Sequence, residues 1–234
     1  MSDVKDFYDS TAHNYDKRHD NPTTKYMRHV EDKLIRKYAH GLVLDIGCGA
    51  GAHLGLLNNA VGLDISRSML KEARNKTDKS LIQARAENLP FSDNYFDSII
   101  CMFTVLNLCD YDAAAKEMHR VLKPGGTAVV SVASVWDRLD KKIWQKARDV
   151  RSISKNVRIE GHRLTFHLFG RKDFIDLFRS NGFRKIDFHS LFTMQKPYWG
   201  WYRSFSLWEK LKLKADYFVP HRAGRIYIGV FQKQ

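Results

Sequence analysis

A chain of 234 residues with 44% hydrophobic side chains has enough apolar material for one large self-folding domain, and no Pro/Gly/Ser-rich linker divides it. No run of about 18 apolar residues is present to cross a bilayer as a helix, and Met1-Ser2-Asp3-Val4-Lys5-Asp6 lacks the basic-then-apolar pattern of a secretory signal. The net charge of +13 is unevenly placed: residues 1–137 hold 17 Lys and Arg against 18 Asp and Glu, whereas residues 138–234 hold 22 against 8, giving −1 and +14.

Taken in chain order, residues 3–19 read as a short helix carrying Phe7, Tyr8 and Tyr15. Asn21-Pro22 interrupts it, and Thr23 or Thr24 caps a helix over roughly 25–39, where Tyr26, Met27, Val30, Leu34, Ile35 and Tyr38 recur near the helical period. Leu42-Val43-Leu44-Asp45-Ile46 reads as a buried strand, followed at once by Gly47-Cys48-Gly49-Ala50-Gly51 and a helix to about Asn58. A second strand covers 60–64, a second helix 66–76, a third strand 80–84 and a fourth 96–103. The helix over 111–121 ends at Lys123-Pro124-Gly125-Gly126, and 127–132 is the fifth strand. Strands alternating with helices at this spacing imply parallel strands joined by right-handed crossovers. Further on, 136–150 and 171–181 read as helices, the second closed by Gly182 at its C′ position, and 184–192 and 225–232 as the last two strands. Between those strands lies 193–224, rich in aromatic and basic residues.

The strand, Gly-x-Gly-x-Gly and helix together make a nucleotide-binding turn, because glycines let the backbone turn tightly and a helix start offers free N–H groups. A dinucleotide site wants Gly-x-Gly-x-x-Gly around a pyrophosphate. Here Asp45 directly precedes the turn, and a carboxylate at a strand end repels phosphate but attracts an ammonium. S-adenosylmethionine (SAM) has an amino group and no phosphate, which favours it over NAD. Asp64 ends the second strand 19 residues later, where an acid accepts hydrogen bonds from ribose hydroxyls.

The segments "FYDSTAHNYD" (7–16), "VLDIGCGAG" (43–51), "VGLDIS" (61–66), "AENLPF" (86–91), "FDSII" (96–100) and "RVLKPGG" (120–126) occur in this order. On them the chain resembles class I SAM-dependent methyltransferases, in the methyltransferase-11 group that includes ubiquinone- and menaquinone-biosynthesis enzymes, over roughly residues 7–132. The resemblance implies a Rossmann-like α/β fold: a seven-stranded, mostly parallel sheet, helices on both faces, and an insertion before the last strand. It implies one domain over 1–234, with cap helices at 1–40, a SAM-binding core at 41–135 and a substrate-facing half at 136–234 whose lid is 193–224. It also implies methyl transfer from SAM, leaving S-adenosylhomocysteine, with no metal. Tyr15 would close over the methionine end of SAM, which Asp45 and the turn of Gly47, Cys48, Gly49 and Gly51 would hold. Asp64 would bind the ribose, Ile65 and Met69 would pack on adenine, the Ala86 amide would read its edge, and Met102 and Phe103 would line the pocket. Arg85 stands where relatives usually place an Asp that accepts from the adenine amino group. An arginine cannot accept a hydrogen bond, so either Glu87 substitutes or adenine is held by backbone and stacking.

Methyl transfer is an in-line displacement, so much of the catalysis can come from positioning. Candidate general bases are His13, Tyr15, Asn107, His162, His167 and Tyr198, with His167 in "TFHLFG" preferred and Tyr15 second. Asn107, His162, Tyr198, Trp199, Trp201 and Tyr202 are the candidate substrate and lid residues. The segment after strand four, Thr104-Val105-Leu106-Asn107-Leu108, lacks the Asn/Asp-Pro-Pro-Tyr/Phe motif of adenine N6 or glutamine amide methylation. No Pro-Cys pair supports a covalent cysteine route. The three cysteines, an odd number without CxxC, argue against a disulfide framework or zinc site and for a reducing cytoplasm, with peripheral membrane association open to the basic half. Trp and Tyr beside Lys210-Leu211-Lys212-Leu213-Lys214 suit an interfacial lid and also a stacking-plus-phosphate surface. Three functions follow: methylation of a small or lipid-like acceptor, anionic ones included; methylation of a tRNA or other RNA base through the +14 half; and a non-catalytic SAM-fold partner subunit, which intact Asp45 and Asp64 oppose.

Overall fold

Among the described residues, three helices begin at a side-chain cap: Asn21, Ser66 and Asp110 each accept a hydrogen bond from a backbone N–H three residues on. A computed structural model describes residues 2–137, 151–192, 208 and 224–234. Helix α1 spans Ser2–Thr11, where the Ser10 and Thr11 hydroxyls turn back onto the Phe7 carbonyl and compete with the backbone. A 3₁₀ turn at Ala12–Asn14 follows, then α2 at Tyr15–His19, so the N-terminal segment is broken rather than one continuous helix. The cap of α3 (Pro22–Tyr38) is Asn21, whose side chain accepts from the Thr24 N–H at 3.0 Å. With Pro22 in the first turn, the helix starts three residues before the position expected from the threonines.

The strands are β1 Leu42–Ile46, β2 Asn59–Asp64, β3 Ser80–Gln83, β4 Phe96–Cys101 and β5 Leu122–Ala133. Between them lie α4 Arg67–Arg74, α5 Val105–Leu108 and α6 Tyr111–Val121. After these come β6 Ile153–Ile159, β7 His162–Leu168, helix α7 Arg171–Ser180, β8 Phe183–Leu191 and β9 Ile226–Lys233. Seven strands form one sheet in the order β3-β2-β1-β4-β5-β9-β8, parallel from β3 to β5, with β9 antiparallel to both neighbours. The expected Rossmann-like architecture is therefore present. Helix α3 packs with Val43, Ile100, Val129 and Ile228 on one face, and α6 and α7 pack with Leu44, Ile99, Val130 and Phe231 on the other. Strands buried on both faces read as continuous apolar runs, as β1 does. Strand order reverses beside β1, and a crevice opens at the carboxyl ends of the strands at such a reversal.

Two local expectations are corrected. No α-helix follows Gly51; the described chain makes a single 3₁₀ turn at Leu54–Leu56 before β2. Residues 52–58 span less than two α-helical turns, and they bury Leu54 and Leu57 instead. The second is an unanticipated hairpin, β6–β7, in which Ile153 to Ile159 pair antiparallel with Leu168 to His162. Its two-residue turn, Glu160-Gly161, has both residues at positive φ, the geometry of a type I′ turn. Of the helix expected over 136–150, only the 3₁₀ turn at Val135–Asp137 is described. The rest of it, and the insertion with Tyr198, Trp199, Trp201 and Tyr202, lie outside the described residues.

Asn107, expected on the substrate side, instead clamps the fold. Its side-chain amide donates to the Ala133 and His167 carbonyls, and its oxygen accepts from the Ala133 N–H at 2.9 Å. The residue is buried, and these bonds tie α5, the end of β5 and the hairpin together. Asn107→Ala removes three hydrogen bonds to the backbone, of which the Ala133 carbonyl keeps a second donor in the Phe169 N–H, and is expected to cost about 2–3 kcal/mol of stability. Urea unfolding checks this, and a loss within about 0.5 kcal/mol, the scale of a surface change, would remove the clamp.

Candidate cofactor site

The site begins with the turn after β1. Gly47 has φ +71° and Gly49 φ +52°, a left-handed path that side chains rarely take. A Cβ on Gly47 would lie 2.2 Å from Val105 Cγ2, whereas one on Gly49 would meet nothing within 4 Å. The first glycine permits packing against α5 and the second leaves space for a ligand. Backbone bonds from Gly47 and Cys48 to the Leu63 carbonyl, at 2.7 and 2.9 Å, bind the turn to β2. Gly51 does not line the crevice; it closes the turn onto Ala73 of α4.

Asp64 completes the arrangement. One carboxylate oxygen accepts from the Gly49 N–H at 2.9 Å and the other from the Ser66 N–H at 2.8 Å. Burial pushes its pKa up to about 6, against the pull of those two N–H groups. Ser66 caps α4 through the Met69 N–H at 3.1 Å, and α4 thereby presents Met69 to the crevice.

The crevice encloses about 730 Å³, its open mouth and solvent space included. Among the expected residues Tyr15, Gly47, Gly49, Asp64, Ile65, Met69, Ala86, Glu87 and Phe103 line it. Arg85 and Glu87 stand together on its wall, the guanidinium 2.9 Å from Glu87 Oε1. Tyr8 and Val4 of α1 close the crevice from above. Asp9 of the same helix accepts from Ser66 Oγ at 2.6 Å and the Ser68 N–H at 3.0 Å, with Lys5 at 2.6 Å. Although burial opposes it, these partners hold the Asp9 pKa down to about 2, so α1 is latched to the start of α4 by a charged group.

A second cavity shares the lining residues Tyr15, Gly47, Gly49 and Phe103. Cys48 and Met102 line it as expected, and so do Arg28, Glu31 and His53, which sequence reasoning missed. The readable signal for Glu31 was a charge set within the apolar stripe of Met27, Val30, Leu34 and Ile35. Ser131 joins the pieces: its hydroxyl accepts from the Phe103 N–H at 2.7 Å and donates to Glu31 Oε1 at 2.8 Å. Phe103 and Thr104 both hold positive φ, +52° and +64°, a conformation costing about 1–3 kcal/mol per residue.

Asp45 does not project into the crevice beside Asp64. It is 1% exposed and lines neither cavity. Its Oδ2 has no hydrogen-bond partner among the described residues. Burial pushes its pKa up to about 7; the charge of His53 works against this, and those of Asp64 and Glu31 add to it.

The candidate bases fare differently. His167 lines neither cavity; its ring lies 4.3 Å from that of Tyr111 and its Nδ1 is 2.9 Å from Ser154 Oγ. A histidine alternating with core residues along β7 points to the opposite face, which takes His167 out of the crevice. Its pKa is lowered by burial. His162 contacts Ser10 at 3.5 Å and Phe7, away from the lining, and His13 is exposed in the 3₁₀ turn. Tyr15 does reach the site, but burial holds its phenol far above its ordinary pKa, so it stays protonated.

A family model described as a methyltransferase domain matches residues 44–130. The chain is 48% identical over 136 residues to the uncharacterized protein MJ1252 of Methanocaldococcus jannaschii, covering 57% of this chain and 53% of that protein. The uncharacterized protein MJ0638 of the same organism is 33% identical over 181 residues, 71% of this chain and 77% of its own length. The demethylmenaquinone methyltransferase of Staphylococcus carnosus is 44% identical over 97 residues, 37% of this chain and 40% of that enzyme. The chain thus spans about half the length of MJ1252 and two fifths of the Staphylococcus enzyme. Among solved structures, a SAM-dependent methyltransferase of Thermotoga maritima matches with TM-score 0.63 and 20% identity over 90% of both chains. The chain that the Haloferax volcanii Trm112 methyltransferase activator binds matches with TM-score 0.66 and 21% identity, over 98% of this chain and 96% of that one. At these identities the likeness is one of fold alone.

Asp45 supplies a test by pH. A carboxyl whose folded pKa lies near 7, above its ordinary 3.9, costs nothing in the ligand-free protein below about pH 4. The cost grows as pH rises and is complete above about pH 7. Asp45→Asn is therefore expected to stabilise the ligand-free protein by about 2–4 kcal/mol at pH 8 and little at pH 4. Equal effects at both pH values in denaturant titrations would show that Asp45 is not held against its charge.

Proposed function

The chain belongs to the class I SAM-dependent methyltransferases, and from that membership we propose that it transfers the cofactor's methyl group to a small or lipid-like acceptor. One observation carries the reading: a buried carboxylate, Asp64, on the crevice wall beside a glycine turn with open space over Gly49. The residues fit a cofactor that is cationic and free of phosphate. Asp64 on the crevice wall would repel a pyrophosphate. The carboxylate of Asp64 retains lone pairs beyond those taken by Gly49 and Ser66, and these would accept the ribose hydroxyls. Ile65 and Met69 would flank adenine, and Ala86 with Glu87 would read its edge, Glu87 being oriented by Arg85. Bound SAM supplies an electrophilic methyl on a sulfonium. The chain's contribution is orientation and exclusion of water: Tyr8 and Tyr15 cover the crevice and Phe103 narrows the passage between the two cavities. With His167 outside the lining and Tyr15 held protonated, no crevice histidine acts as base in this reading.

The apolar lining residues Val4, Val105 and Leu108 support a small or lipid-like acceptor. The demethylmenaquinone methyltransferase matches over only 97 residues, so its acceptor is not carried over. A second reading, methylation of an RNA base, is favoured by the hairpin. Arg158 faces Arg163 directly across β6–β7, both exposed and neither in an ion pair among the described residues. Opposed like charges destabilise a sheet, and a bound phosphate relieves that repulsion.

Isothermal titration with S-adenosylhomocysteine should give binding that strengthens from pH 5 to pH 7 as Asp64 ionises. Asp64→Ala should weaken it about tenfold or more, and an unchanged affinity in that variant would refute the site. Should RNA be the acceptor, affinity must fall steeply with salt and Arg158→Ser/Arg163→Ser must flatten the slope. Salt-insensitive binding leaves the small-acceptor reading.

A further inference from the structure

The run "RVLKPGG" (120–126) closes α6, yet its arginine takes no part in the site described above: Arg120 lines neither cavity. It is turned instead onto 84–95, the stretch without regular structure between β3 and β4. Nη1 donates to the Phe91 carbonyl at 2.7 Å and to Asp93 Oδ1 at 2.8 Å. Nη2 donates to the Leu89 carbonyl at 2.9 Å and to Glu117 Oε2 at 2.8 Å, and Nε donates to Glu117 Oε1 at 2.7 Å. A guanidinium has five N–H donors, and these bonds use every one. Glu117 adds a further tie by accepting from the Leu89 N–H at 2.7 Å. Its bonds to Arg120 hold its carboxyl below the usual range, so the pair stays charged. The other end of the stretch is anchored separately, where the Ala84 N–H donates to the Asp64 carbonyl at 3.1 Å. Ala86 and Glu87 lie between these two anchors, on the crevice wall. Glu87 Oε1 also accepts from the Asp110 N–H at 3.3 Å, so α6 holds the stretch from both of its ends.

We propose that Arg120, with Glu117, is a positioning residue for base recognition: it fixes the backbone of 89–91 so that the Ala86 amide and the Glu87 carboxylate stand at a set separation. The proposal rests on the methyltransferase reading above, in which those two groups read the edge of adenine. Adenine offers a donor at its amino group and an acceptor at N1, whereas hypoxanthine reverses both. An amide donor and a carboxylate acceptor discriminate the two bases only while both are held in hydrogen-bonding geometry at once. Arg120 touches no ligand; its effect passes along the backbone from Leu89 to Ala86. A lysine cannot take its place, because it has three donors on a flexible stem and no planar fork to span two carbonyls and a carboxylate.

The test measures a ratio of affinities by calorimetry on the full chain. S-adenosylhomocysteine carries adenine, and S-inosylhomocysteine is the same molecule with hypoxanthine in its place. The wild-type chain should bind the first about tenfold or more tightly than the second. Arg120→Ala should weaken S-adenosylhomocysteine about tenfold and leave S-inosylhomocysteine within about twofold, bringing the pair toward parity. Arg120→Lys, which keeps the charge without the fork, should behave as Arg120→Ala does, and Glu117→Gln should lower the ratio in the same sense. Both ligands report on the same folded fraction, so partial unfolding leaves the ratio unmoved; if Arg120→Ala does not fold, Arg120→Lys carries the comparison. The proposal is overturned if Arg120→Ala weakens both ligands equally, if it changes neither, or if Arg120→Lys keeps the wild-type ratio. A wild-type chain that binds both ligands alike sinks edge reading by Ala86 and Glu87, and this proposal with it, while the methyltransferase reading stands. A chain that binds neither sinks that reading too.

Discussion

The pair of hydrogen bonds that Asp64 accepts, from the Gly49 and Ser66 amides, fixes where everything else in the site can be. One carboxylate holds the turn after β1 to the start of α4, two segments brought together only by parallel pairing of β1 and β2. Burying that carboxylate raises its pKa, and the two amide donors are what keep the group usable as an acceptor. The same constraint explains Ser66, which gives its amide to Asp64 while its hydroxyl caps Met69 and meets Asp9. Loss of that junction would loosen the floor of the crevice and the latch of α1 together.

Around this junction the molecule accepts local costs that a purely structural core would avoid. Phe103 and Thr104 hold left-handed backbone, and Glu31 and Asp45 each keep a buried oxygen without a hydrogen-bond partner among the described residues. These costs are connected: the Phe103 amide is held by Ser131, whose hydroxyl is held by Glu31. A residue that strains the backbone after β4 is thus tied to a buried acid of α3.

Much of the fold was legible because its signals are short-range. The apolar run 42–46, the glycines and the acids at 45 and 64 occupy neighbouring positions in sequence, and the chain repeats strand and helix at regular spacing. What was not legible depended on competition between elements. The residues after Gly51 have helical composition, but the distance to β2 leaves them too few turns. The hairpin carries a period of two in Leu164, Phe166 and Leu168 with Glu160-Gly161 as its turn. A sequence reader who follows the aromatic residues alone assigns His167 to the pocket, whereas the alternation assigns it outward. Glu31 was hidden by its neighbours, since an apolar stripe invites the assumption that every position in it faces a dry core.

The charge asymmetry gains meaning from this geometry. The first half is near neutral overall, yet it buries Glu31, Asp45 and Asp64 together, so its local field around the crevice is negative where its surface is balanced. A cationic donor suits that interior. The second half carries the +14 excess, and the described part of it shows Arg158 and Arg163 forced opposite each other by register. Cations placed at a cost on a hairpin that packs against α1 create a positive rim beside a negative interior. A neutral or cationic acceptor would gain nothing from such a rim, whereas an anionic one is drawn to it and meets its own attraction to the donor at the crevice mouth. The proposed small or lipid-like acceptor would be drawn to such a rim through a negative group of its own.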